Sequence, residues 1–314
     1  MATFFHHLTL AVPFYSLVFA GYALMRFSRM PKVWSDRLSW FVFSIALPVM
    51  LFRLMSDFSK LPAVDARLLL AFFGSCLIVF VVGRLIAWRA FGLDGVGQSV
   101  FALGGVFSNN VMLGLPLAKI VLGDAALPSV ALVLVFNALI LWVLVTVSVE
   151  WARHGSLSLQ GGAKTLRAVL TNPIIVGILL GTLYGLAGFT LPPPIDVPLA
   201  LLAQAAAPLA LVALGMGLAA YRIREGLRIS LAITAIKLLL QPLVVWVLAI
   251  LIGLPPMETQ VVVLLASIGV GANVYLMSRQ FNVLEGPVAA SLVISTALAA
   301  LTAPLVLALT HLAN

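Results

Sequence analysis

The chain has 314 residues, 63% of them hydrophobic and only 9% charged, with 18 Lys and Arg against 10 Asp and Glu and a formal net charge of +8. A soluble chain carries about 25% charged residues, so this composition excludes a water-soluble fold. A membrane span takes roughly 20 apolar residues, which leaves room for about ten of them.

In chain order, apolar runs bounded by charges, Gly and Pro predict spans near 8–26, 39–56, 68–88, 97–121, 127–149, 172–189, 197–220, 229–252, 259–279 and 287–311. No Lys or Arg precedes the first run, so it reads as a retained span and not a cleaved signal peptide. Cys76, the single cysteine, lies inside an apolar run and reads as a small core residue. The basic residues are divided unevenly among the connections. Arg26, Arg29, Lys32, Arg37, Arg84, Arg89, Arg153, Lys164, Arg167, Arg222, Arg224, Arg228 and Arg279 fall on one side, and only Arg53, Lys60 and Arg67 on the other. Lys and Arg in short loops stay cytoplasmic, so both termini are expected on the side of the membrane away from the cytoplasm. This alternation is that of a membrane topology, and it argues against a nucleic-acid surface.

The longest connection, residues 151–171, is expected to be a cytoplasmic linker between two five-span halves, 1–150 and 172–314. An odd number of spans inserts the halves in opposite senses, so similarity between them means an inverted repeat. Ile45-Ala46-Leu47-Pro48 in the second span has a counterpart in Ala205-Ala206-Ala207-Pro208 in the seventh, and Arg67 opens the third span as Arg228 opens the eighth. Asn110 follows Pro48 by 62 residues, and Asn273 follows Pro208 by 65. The predicted fold is an all-α polytopic membrane protein, with ten transmembrane helices forming two inverted five-helix repeats and broken helices 4 and 9 crossing.

The fourth and ninth spans carry the candidate chemistry. Each places Asn and Gly near the middle of an apolar segment: Asn109, Asn110 and Gly114 in one, Gly269, Gly271 and Asn273 in the other, with Tyr275 close by. Pro116 removes a backbone donor and frees the carbonyl of Met112. Breaks are therefore expected near Pro116 and Gly271. Broken helices at matching repeat positions point to a midplane binding site, and half-helix N-termini suit an anionic group. Asn110 and Asn273 would add amide donors; alternatively they join neighbouring helices. Lys237 lies nine residues after Arg228, about 13 Å along a helix and near the middle of a roughly 30 Å hydrocarbon layer. Ionisable groups at that depth are candidates for function. Lys237, with Gln241 one turn on, either meets a substrate carboxylate, exchanges a proton, or donates to helix ends as a structural group.

The run Phe107-Ser-Asn-Asn-Val-Met-Leu-Gly-Leu-Pro-Leu117 resembles the fourth-helix motif of the auxin efflux carrier family. Thr171-Asn172-Pro173, Leu214-Gly215-Met216-Gly217-Leu218 and Gly271-Ala272-Asn273-Val274-Tyr275 are further matches in the right order. The resemblance implies a carrier of small organic anions, malonate-like or auxin-like, with spans 1, 2, 6 and 7 as a scaffold. Spans 3–5 and 8–10 would move against it as an elevator, and a homodimer would form through the scaffold helices. The chain lacks the long central hydrophilic loop of the plant exporters, which favours a prokaryotic type. An anion channel, or a sodium- or proton-coupled symporter of the bile-acid transporter type, is the competing reading.

Enzymatic function is not expected. His6, His7, His154 and His311 fall in termini or the central connection, and no span has Asp or Glu near its centre. Hydrolytic chemistry lacks a base or metal ligands there, and nothing suggests a cofactor or a metal. The expected partners are the substrate anion, the lipid bilayer and a second copy of the chain. Gly177, Gly181 and Gly185 in the sixth span read as a close helix contact.

Overall fold

A computed structural model describes residues 2–28, 30–56, 64–154, 171–220 and 226–313, and within these every extended secondary-structure element is a helix. The helices are α1 (Ala2–Phe27), α2 (Lys32–Ser56), α3 (Leu68–Phe91), α4 (Gly95–Val106), α5 (Asn110–Val121) and α6 (Leu127–His154). After the central connection come α7 (Pro173–Leu186), α8 (Pro193–Leu218), α9 (Leu227–Ile252), α10 (Pro256–Ser267), α11 (Ala272–Phe281) and α12 (Glu285–Ala313). Five of them, α2, α3, α8, α9 and the stretch Glu285–Leu309 of α12, are long and apolar enough to cross a membrane. Most of residues 151–171, together with Arg29, Lys60, Lys164, Arg167, Arg222 and Arg224, lies outside the described residues.

Local chemistry sets the helix ends. Asp94 caps α4 by accepting from Gly97 N at 2.8 Å, and Asn172 caps α7 by accepting from Ile174 N at 2.9 Å, with Pro173 at the first helical position. α3 and α9 both stop at a left-handed glycine followed by leucine, Gly92-Leu93 and Gly253-Leu254. In each case the leucine N–H returns to a carbonyl of the last turn, Leu93 to Ala87 and Leu254 to Ala249. Three prolines are accommodated by wide turns. Pro48, Pro116 and Pro242 follow π-helical segments at Val42–Ala46, Asn110–Gly114 and Ile236–Leu240. A proline has no N–H and crowds the carbonyl four residues back; opening the turn relieves both effects without ending the helix.

The fourth apolar run accordingly does not stop at Pro116. Its non-helical backbone is Phe107–Asn109, and the ninth run is non-helical at Ile268–Gly271. The two stretches run antiparallel and touch, with a bridge between Ser108 and Val270. Asn109 N donates to Gly269 O at 3.0 Å and Gly271 N to Phe107 O at 2.8 Å. Backbone groups released by the helix breaks thus satisfy one another, as an apolar interior requires.

Packing divides the helices into two groups. α1 lies along α8 and α2 along α7, while α3, α4, α6, α9, α10 and α12 pack among themselves. Contacts of α1 with α12, and of α5 with α1 and α8, join the groups. The first group is held by backbone-to-backbone approaches at glycine. Gly215 abuts the Val18 carbonyl and Gly21 the Val212 carbonyl, so α1 and α8 meet glycine to backbone from both sides. Gly177 and Gly181 lie against the Pro48 and Phe52 carbonyls of α2. Outward faces carry large apolar side chains, among them Val81 at 66% and Leu183 at 63% exposure. Apolar surface this extensive belongs against lipid.

Candidate functional site

A cavity of about 910 Å³ lies between the two helix groups and ends at the crossing of 107–109 with 268–271. Its wall takes Ser35, Ser39 and Ser44 from α2, Asn137 from α6, the end of α8 from Ala213 to Ala220, and the starts of α5, α7 and α11. The mouth is formed by Met30, Lys32, Ala220 and Arg279, all at helix ends on the basic side of the molecule. None of 64–67, 122–126, 187–192 or 253–258 lines it. Among the described residues the cavity is therefore blind, reaching the crossing from one side.

Helix polarity shapes the closed end. α5 and α11 both begin at the crossing, so two N-termini, each with about half a positive charge and unsatisfied N–H groups, converge on the same wall. Asn109 is 6% and Asn110 2% exposed, since both are held by the interrupted backbone. Asn110 Nδ2 reaches Asn137 Oδ1 at 3.5 Å. The amide nitrogen of Asn109, the amide oxygen of Asn110 and the hydroxyl of Ser108 are buried with no hydrogen-bond partner among the described residues. Buried polar groups are normally paired; these three, gathered at the crossing, are not paired among the described residues.

The structure brings Asn109, Asn110, Gly271, Asn273 and Tyr275 together on the cavity wall. Gly114, Pro116 and Gly269 stand behind it: Gly114 packs against Leu265 and Ile268, and Gly269 against Thr296 on α12. Lys237 and Gln241 are not on the wall either. They are fully buried on the far side of the crossing and bonded to protein carbonyls, the arrangement expected of a structural lysine. Ser108 and Asn137 were not singled out as site residues by the sequence. Asn137 had a signal, a lone amide in the middle of the apolar run 127–149.

An all-helical molecule with an apolar exterior and a blind polar-ended cavity at its centre has the architecture of a multi-pass membrane transport protein. The chain belongs to the family described as "Membrane transport protein", whose model matches residues 6–307; this is the auxin efflux carrier family that the sequence motifs resemble. A protein of Rhizobium meliloti (strain 1021) described as "Putative malonate transporter" is 29% identical over 312 residues, covering 93% of this chain and 92% of the relative.

Proposed function

We propose that the protein is a secondary carrier of a small organic anion, malonate or a close analogue, operating by alternating access. The observation that carries this reading is the pair of half-helix N-termini meeting beside Asn109, Asn110 and Asn273 at the end of a one-sided cavity. Two N-termini supply roughly one unit of positive charge, which matches one carboxylate without a cationic side chain. The relative's name supports malonate as the first substrate to try. A cavity closed at the crossing favours a carrier over a channel.

In this reading α4 with α5, and α10 with α11, each form one interrupted span, and ten spans make two inverted repeats. Matched features support it: Gly92 precedes Ser108 by 16 residues and Gly253 precedes Val270 by 17. The pairing of α1 with α8 also mirrors that of α7 with α2. Helices α1, α2, α7 and α8 form the scaffold, and the rest move past it as an elevator, carrying the crossing. The test is counterflow in proteoliposomes preloaded with malonate, malate or indole-acetate. Saturable, acid-specific exchange is expected; ion flux that neither saturates nor shows counterflow would establish a channel instead.

Orientation follows from the loop charges, with the cavity mouth at Lys32 and Arg279 facing the cytoplasm. In a Cys76→Ala background, Ser28→Cys should react with an impermeant maleimide only from the cytoplasmic side and Thr190→Cys only from outside. Labelling of both from one side would refute the topology.

A further inference from the structure

The helix ends that point away from the cavity are as organised as those that line it. α4 ends at Val106 and α10 at Ser267, and both ends face α9. The last carbonyls of a helix have no intrahelical partner, and each C-terminus carries about half a negative charge. Two such ends, one from each half of the chain, together present roughly one unit of negative charge.

Lys237 and Gln241 meet both ends. Lys237 Nζ donates to Ala266 O at 2.5 Å and to Gln241 Oε1 at 2.6 Å. Gln241 Nε2 donates to Val106 O at 2.9 Å and reaches Cys76 Sγ at 3.5 Å. Lys237 and Gln241 are each 0% exposed. The wide turn Ile236–Leu240 ahead of Pro242 holds the lysine in place. An unpaired buried ammonium is strongly destabilising, yet no described carboxylate forms an ion pair with Lys237. The two C-termini compensate it, directly through Ala266 and by way of Gln241 through Val106.

We infer that the Lys237 ammonium is a tethered cation standing where a free monovalent coupling ion would otherwise have to bind to join the two half-helix C-termini. This rests on the carrier reading above only for its consequence in transport. The helix-end charges divide across the crossing: one ammonium on one side against two C-termini, and two N-termini on the other side left for one carboxylate of the substrate. Removing the side chain leaves a carbonyl-lined void with about one unit of negative charge, which a small cation can fill. Exchange by the intact protein therefore needs no alkali cation.

Two measurements test this, and the first does not depend on transport. Purified Lys237→Ala in N-methylglucamine chloride should unfold at a lower temperature than the parent, and its unfolding temperature should rise saturably with methylammonium or sodium chloride. The parent and Lys237→Arg, which keep the charge, should show no such rise. Should Lys237→Ala not be recovered from the membrane, Lys237→Ser, which leaves the same void open and adds only a hydroxyl to its wall, is read in the same way. A variant indifferent to both cations, or a parent equally responsive, overturns the inference. Second, malonate counterflow by the parent should proceed within two-fold of the same rate in sodium medium and in N-methylglucamine medium. A ten-fold loss without sodium overturns the inference while leaving the carrier reading intact. Absence of any counterflow defeats the carrier reading alone, and the unfolding series still decides the role of Lys237.

Discussion

Replacing Gly215 by alanine is expected to destabilise the protein by about 1–3 kcal/mol, whereas Gly217→Ala, two residues along the same helix, should be neutral or slightly stabilising. An added Cβ at Gly215 meets the Val18 carbonyl oxygen and also lies 2.8 Å from Tyr22 N, so both obstacles are backbone and neither rotates aside. Relief requires α1 and α8 to separate, which also releases the reciprocal approach of Gly21 to Val212. At Gly217 an added methyl has no neighbour within 4 Å, and alanine is the better helix former by up to about 1 kcal/mol. Thermal unfolding of the two purified variants in the same detergent compares them directly. Equal unfolding temperatures would mean that the crossing of α1 and α8 is looser than described.

The largest functional effects are expected at the crossing. Asn110→Ala and Asn273→Ala should each weaken malonate binding by roughly ten-fold or more while leaving folded protein in the membrane. A hydrogen bond to a charged group contributes about 1.5–3 kcal/mol, and each 1.4 kcal/mol is a factor of ten in affinity. Asn110 has little to lose structurally: its bond to Asn137 is long at 3.5 Å and its amide oxygen has no partner among the described residues. Asn273 lies one residue into α11, half-buried, on the same wall. Binding measured on purified protein separates this effect from expression. If both variants bind malonate like the parent, these side chains belong to packing and the substrate lies elsewhere along the cavity.

Much of the architecture is legible in the sequence because the membrane leaves few alternatives. Apolar runs of about twenty residues must be helical where no water can satisfy the backbone, and helices overlie all ten predicted runs. Gly177 and Gly181 read correctly as a close contact, since small residues at four-residue spacing share a face. The break in the fourth run was misplaced for a local reason. Pro116 carries the strong sequence signal, but a π-turn accommodates it, and the chain opens instead at Phe107–Asn109, where residues 268–271 supply antiparallel backbone partners.

The sequence by itself determined that this is a multi-pass helical membrane protein, where its apolar runs lie, and that Asn110 and Asn273 occupy similar depths. These are one-dimensional properties, set by hydropathy and by the rise per residue. Only the tertiary structure decided which polar group faces which neighbour. Lys237 has the depth of a binding residue, yet it points at the carbonyls of Val106 and Ala266 through Gln241 and directly, not at the cavity. Depth along a helix follows from counting residues, whereas azimuth toward a partner follows from the crossing of helices far apart in the chain, and nothing local to residue 237 encodes it.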